Sequence, residues 1–159
     1  MLLFSKRAIL FLPLALAACG FTPVYSTGGT GSALQNRMQV VEPDTRDAFF
    51  VTRRVEERLG RTADPAYVLS LIVTSREEDL AVDREGTSTR FNILGEAEFA
   101  LVEQSTGRVV TSGSVDNFTG YSATGTTIAT LAAERDAQQR LMILLADQIV
   151  TRLLSTDLS

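Results

Sequence analysis

Arg90 and Arg108 flank strand-like segments, Glu77-Glu78-Asp79 with Asp83 gathers carboxylates, and Cys19 is the only thiol of the chain. These are the side chains whose type and placement could do chemistry. A guanidinium offers charge-assisted, bidentate contact to phosphate or carboxylate, and Arg84 belongs to the same group as Arg90 and Arg108. Their plainer reading is a set of charged loop ends. The carboxylate run lacks the spacing and the glycine of a calcium loop, so it reads as a solvated strand end. Arg53, Arg54 and Arg58 stand beside Glu56 and Glu57 on a helical pattern, where i,i+4 pairing on an exposed face accounts for them. The glycines of Ser26–Ser32 are not followed by the Gly-Lys-Ser/Thr of a phosphate loop.

What is absent narrows the chemistry further. The sequence has no His and one Cys. There is no imidazole base, no Ser–His or Cys–His dyad and no internal disulfide, and a Cys-rich zinc site has no ligands. The one Lys, Lys6, falls in the N-terminal apolar segment. No paired carboxylates suggest a hydrolase. The expectation is a binding or assembly protein with no catalytic residues, no cofactor and no metal.

Cys19 gains meaning from its surroundings. Residues 1–7 carry Lys6 and Arg7, and Ala8–Ala18 is an eleven-residue apolar run. At ~1.5 Å per residue such a run is too short to cross a ~30 Å hydrocarbon core, and it fits the charged and apolar regions of a secretory signal. It ends Leu16-Ala17-Ala18-Cys19-Gly20. That resembles a bacterial lipobox, with small residues at the cut and a thiol to carry diacylglycerol. Residues 1–18 are therefore expected to be removed. Gly20, where Asp would retain a lipoprotein in the inner membrane, points to the outer membrane. The remaining 141 residues carry 13 Arg against 19 acids, a charge of −6 that gives no reason to expect nucleic acid as a partner. That length suits one domain with an adequate core.

The elements follow from periodicity. Residues 19–32 read as a lipidated N-terminus and a Ser/Thr/Gly tether, leaving 33–159 as a single domain. Leu34–Val41 alternates as a strand that Pro43 stops. Asp44–Asp47 offers N-caps for a helix of about three turns with Ala48, Val51 or Thr52, Val55 and Leu59 inward and Gly60 as its stop. Tyr67–Ser75, Arg90–Glu103 and Arg108–Phe118 form a three-stranded meander, with Arg76–Thr89 as a charged loop or frayed hairpin end. From Thr127 to Leu154 apolar residues recur every three or four positions, including Ala137, Leu141, Leu144, Leu145 and Ile149. The predicted fold is α+β, order β-α-β-β-β-α. Its two helices pack on one face of a mainly antiparallel sheet of about four strands, and the other face is open.

Leu16-Ala17-Ala18-Cys19-Gly20-Phe21-Thr22-Pro23-Val24-Tyr25 resembles the opening of the lipopolysaccharide-assembly lipoprotein (LptE) family in alphaproteobacteria, with Thr22 and Val24 where Arg and Leu are usual. Ser88-Thr89-Arg90-Phe91, the Gly107 to Gly113 hairpin, Tyr121 and Ala132-Ala133-Glu134-Arg135-Asp136-Ala137 extend the resemblance along the mature chain. It implies an α/β sandwich anchored by lipid to the periplasmic face of the outer membrane. It further implies a plug in, and an assembly factor for, the LptD-type β-barrel that inserts lipopolysaccharide into the outer leaflet. Binding of lipopolysaccharide is also implied, which makes Arg90 and Arg108 candidates for phosphate contact. The alternative is an auxiliary periplasmic lipoprotein of another lipid-transport system. If Cys19 is the acylated N-terminus, intact mass spectrometry of the membrane-extracted protein will give residues 19–159 plus a lipid adduct. An unmodified chain starting elsewhere would refute it.

Overall fold

The computed structural model describes residues 29–82, 88–156 and 158; Cys19, Asp83 and Arg84 lie outside them. The chain order is α1 (Thr30–Leu34), β1 (Met38–Val40), α2 (Arg46–Leu59), β2 (Tyr67–Val82), β3 (Ser88–Glu103), β4 (Val109–Ser122) and α3 (Thr127–Leu154). The four strands stand in the sheet in the order β1-β2-β3-β4. β1 pairs parallel with β2 through the α2 crossover, and the remaining pairings are antiparallel. The fold is the expected α+β sandwich with one short helix added at its start.

Local chemistry sets the element ends. Thr45, inside the Asp44–Asp47 segment expected to supply the cap, accepts a hydrogen bond on its side chain from the Ala48 N–H at 3.1 Å. Gly60 ends α2 with φ of +81°, and its N–H donates to the Glu56 carbonyl at 2.9 Å. A Cβ at Gly60 would lie 2.0 Å from Asn36 Oδ1, so this glycine also makes room for the turn after α1. The buried residues of α2 are Ala48, Val51, Thr52, Val55 and Leu59, which is the stripe read from spacing. Thr126 caps α3 in the same way as Thr45 caps α2, through the Ala129 N–H.

Three segments depart from the expectations. Thr30–Leu34, read as tether and strand start, is helical, and only Met38–Val40 remains extended. Asn36 sits at φ +56° and its N–H donates to the Leu59 carbonyl at 2.8 Å, which breaks any continuous strand from residue 34. Leu34, Met38 and Val40 still enter the core. Arg76–Val82, within the segment read as a charged loop or frayed hairpin end, continues β2 as the paired end of a hairpin: each residue from Arg76 to Asp79 faces a partner on β3, as in Arg76 opposite Leu94 and Asp79 opposite Phe91. The polar side chains of Arg76–Asp79 are tolerated because they are exposed. Leu144, counted in the inward stripe of α3, is 41% exposed, while Met142, Ala146 and Val150 are buried.

The core lies wholly between the helices and one sheet face. Leu69, Ile93, Ala97, Phe99, Leu101 and Val115 from the strands meet Val51, Val55, Leu141, Leu145 and Ile149 from the helices. Gly95 lies in the same inward row, and the helix side chains Leu141 and Leu145 close over it. Across the seam between helices, Asp147 of α3 accepts from Arg54 at 3.1 and 3.2 Å and from Arg58 at 2.9 Å. The first buried residue of α3 is Ala137, so its first ten residues overhang the core. This phase of α3 makes a direct prediction for adjacent leucines. Leu145→Ala should cost about 2–5 kcal/mol by opening a cavity, whereas Leu144→Ala should cost less than about 1 kcal/mol. Urea denaturation of the two variants checks it, and equal losses would contradict the helix orientation.

Candidate functional site

Arg90 and Arg108 occupy opposite ends of β3. Arg90 is exposed near the strand start, and Arg108 lies beyond the Gln104–Gly107 turn, its Nε 3.9 Å from the Glu103 carboxylate. With about 3.3 Å of rise per residue, the thirteen steps from Arg90 to Glu103 span roughly 40 Å. The two guanidiniums therefore do not form one anion site. Arg90 makes no ion pair among the described residues.

The end of the sandwich near Arg90 carries contacts that only the packing brings together. Phe91 and Tyr121, opposite each other on β3 and β4, stack with ring centroids 5.2 Å apart. The Tyr121 hydroxyl donates to the Glu77 carboxylate at 2.8 Å. Burial first, and then this hydrogen bond and the charge of Glu77, push the phenol above its ordinary range. Behind them, Asp47 at the start of α2 accepts from Ser75 at 2.8 Å and from Gln138 at 2.7 Å, joining α2, β2 and α3.

Between α2 and the overhanging part of α3 runs a groove of about 540 Å³ lined by Arg46, Phe50, Leu131, Glu134, Arg135 and Gln138, among others. The Arg46 guanidinium lies 5.6 Å from the Phe50 ring centre. Neither Arg46 nor Arg135 makes an ion pair among the described residues, although Asp47, Glu134 and Asp136 line the same groove; Asp136 is engaged by Arg140, and Asp47 accepts from Ser75 and Gln138. Ile128, one turn outside, is 81% exposed. Within this mixed-charge groove, Arg46 and Arg135 are the groups that can take an anion, and exposed Leu131 and Ile128 offer apolar surface beside them. No sequence signal marks Arg46 and Arg135 as neighbours, because 89 positions separate them and only the α2–α3 packing brings them together.

Among the described residues no group of three or more His, Cys, Asp or Glu could hold a metal ion, and no helix is long and apolar enough to cross a membrane. The acidic run Glu77-Glu78-Asp79 is spread over both faces of β2 by its alternation, as a solvated strand end requires.

Comparison with known proteins now bears on this geometry. Residues 31–153 match the profile of the family described as LptE, lipopolysaccharide-assembly. A Caulobacter crescentus CB15 structure assigned as a lipoprotein is 23% identical, with a TM-score of 0.67 over 81% of this chain and 94% of that one. Rare lipoprotein B from Shewanella oneidensis is 17% identical, with a TM-score of 0.59 over 76% and 94%. A minor lipoprotein from Acinetobacter baumannii is 18% identical, with a TM-score of 0.60 over 77% and 93%. These likenesses establish the shared fold. A search of curated proteins finds no significant match.

The Tyr121 environment predicts a pH effect. The folded chain keeps the phenolic proton above pH ~10, where the unfolded chain begins to lose it. The unfolded state then binds fewer protons, so stability falls as pH rises past about 10. Tyr121→Phe should flatten that decline while leaving the stack on Phe91. Denaturation midpoints between neutral pH and pH ~11 test this, and an unchanged slope would contradict it.

Proposed function

Because the chain belongs to the lipopolysaccharide-assembly (LptE) family, we propose that it is a lipoprotein of the outer membrane, anchored through Cys19 to the periplasmic face, that plugs and helps assemble an LptD-type β-barrel inserting lipopolysaccharide into the outer leaflet. The observation that carries this reading is the extent of the family match, which runs from α1 to the end of α3 and so takes in every element of the sandwich. The role is one of binding and positioning, without catalysis.

Lipopolysaccharide is an amphipathic anion, and its recognition calls for guanidiniums near apolar surface. Arg46 and Arg135 with Phe50, Leu131 and Ile128 supply both at one end of the molecule, while Arg90, beside Phe91, stands at that end on the open sheet face. Arg108 would act separately at the far end, where Glu103 competes for it. Solvent-exposed charge contacts contribute on the order of 1 kcal/mol or less each, so affinity on this reading is spread over several arginines.

The reading makes two linked expectations. Depleting the protein should lower the amount of correctly assembled barrel, and the barrel should shield the domain from added protease; normal barrel assembly after depletion would refute the role. In purified protein, Arg46→Ala with Arg135→Ala should weaken lipopolysaccharide binding about tenfold, and Arg90→Ala or Arg108→Ala alone about threefold. The losses should shrink as salt rises, and Lys should substitute only in part. Unchanged binding in all these variants, with the fold intact by circular dichroism, would move the lipid contact elsewhere.

A further inference from the structure

β4 is an edge strand of 14 residues, Val109–Ser122, with β3 on one side and, among the described residues, no strand on the other. The opposite edge, β1, is only three residues long, which is a common way to protect an edge. β4 contains no Pro, Lys or Arg, Asp116 is its only charge, and the bulge that leaves Val110 without a partner lies before Ser112–Asp116.

The Ala123 N–H donates to the Thr89 carbonyl at 3.0 Å, which fixes the phase of the β3–β4 ladder. Even-numbered residues of β4 therefore turn their N–H and C=O groups outward. At the far end these groups are occupied from within the chain. The Phe118 N–H donates to Asn117 Oδ1 at 2.8 Å, and the Gly120 carbonyl accepts from Arg140 at 3.4 Å. The outward groups of Ser112, Ser114 and Asp116 have no such partner among the described residues. Beside them, a groove of about 500 Å³ separates residues Ser114–Asn117 from Leu144, Asp147, Gln148, Thr151 and Arg152 of α3, with Leu144 the apolar residue on the helix side.

The bare sheet face beside this edge sets the character of an occupant. Its transverse rows are Ile72–Glu98–Ser114, Thr74–Glu96–Asp116 and Arg76–Leu94–Phe118. Glu96 and Asp116 oppose each other directly, and Glu98 adds a third carboxylate in the next row. None of the three makes an ion pair among the described residues, because Arg76 turns to Glu78 at 3.0 Å. Ile72 and Phe118 flank them, 64% and 62% exposed.

The geometry points to β4 as an acceptor for an extended segment of a partner protein, which adds as a fifth strand along Ser112–Asp116 with a Lys or Arg on the open face opposite Asp116 and apolar residues toward Leu144. Main-chain bonds would give the attachment, and the cation would relieve the Glu96–Asp116 repulsion. A second copy of β4 cannot supply that cation, since the strand has none. This inference uses the edge and the charge pattern and does not depend on the barrel reading above.

The probe is a short acetylated peptide alternating Thr and Val with one central Lys, titrated into isotope-labelled protein extracted from membranes in detergent. Amide exchange at Ser112, Ser114 and Asp116 should slow, with shifts confined to β4 and the facing side of α3. Replacing the peptide Lys by Glu should weaken binding about threefold, and N-methylation of alternate peptide amides should abolish it. Ser114→Pro should also abolish it while leaving the β3 ladder whole, because the lost N–H points outward. If that variant fails to fold, the N-methylated peptide alone decides the question. Three outcomes would overturn the proposal: no slowing at millimolar peptide, shifts centred on other surfaces, or protection of these amides that rises with protein concentration in the absence of peptide, which would assign the edge to a second copy.

Discussion

A Cβ at Gly95 would stand 3.0 Å from Leu141 Cδ2 and 3.1 Å from Leu145 Cδ1, so the missing side chain is what lets the leucine stripe of α3 press onto the middle of the sheet. The rest of the arrangement depends on that approach. With α3 seated over β3 and β4, the remaining inward surface over β1 and β2 is left for α2, whose Val51 and Val55 complete the same core. Burying such side chains contributes about 1.5–3 kcal/mol each. The exposed ion pairs at the helix seam, Asp147 with Arg54 and Arg58, contribute far less. Packing thus holds the helices on the sheet, and the seam charges align them along it.

One-sided packing also divides the molecule chemically. The helix face of the sheet is filled, and its polar contacts, such as Thr119 donating to the Ala137 carbonyl at 2.8 Å, are local ties between strand and helix. The other face presents Glu96, Glu98 and Asp116 with isolated apolar side chains. The unpaired guanidiniums of Arg46 and Arg135 lie on the helix layer instead. These guanidiniums and the open-face carboxylates therefore sit on opposite layers of one small domain, so a partner at one does not compete for the side chains of the other.

Much of this fold was legible because its periodicities are clean. The Thr127–Leu154 helix agrees with its predicted ends, and the inward residues of α2 and β3 were readable as 3.6- and 2-residue repeats. Arg76–Val82 was not, because a charged sequence forms a strand only when a neighbour is already placed to receive it, and that neighbour is 14 or more residues away for the pairs of Arg76 and Glu78. Asn36 hid a helix-to-strand break behind one left-handed residue. The candidate site was harder still. Arg90 and Arg108 could be placed at strand ends, and their separation follows from the hairpin. The proximity of Arg46 to Arg135 is a product of α2–α3 packing, and a bare strand edge is a property of sheet order, which no local pattern records.

That sheet order repeats the order of the chain, β1-β2-β3-β4. Every strand pairs with the strand next to it in sequence, so each pairing closes a short loop and costs little chain entropy. The β2–β3 and β3–β4 hairpins can form by zipping outward from their turns, and the parallel β1–β2 pairing needs only the intervening α2 crossover. Structure can therefore be added in the order of the chain, from the N-terminal elements onward. The closing step falls to α3, the last element, whose leucines seal a face that the preceding strands have already assembled.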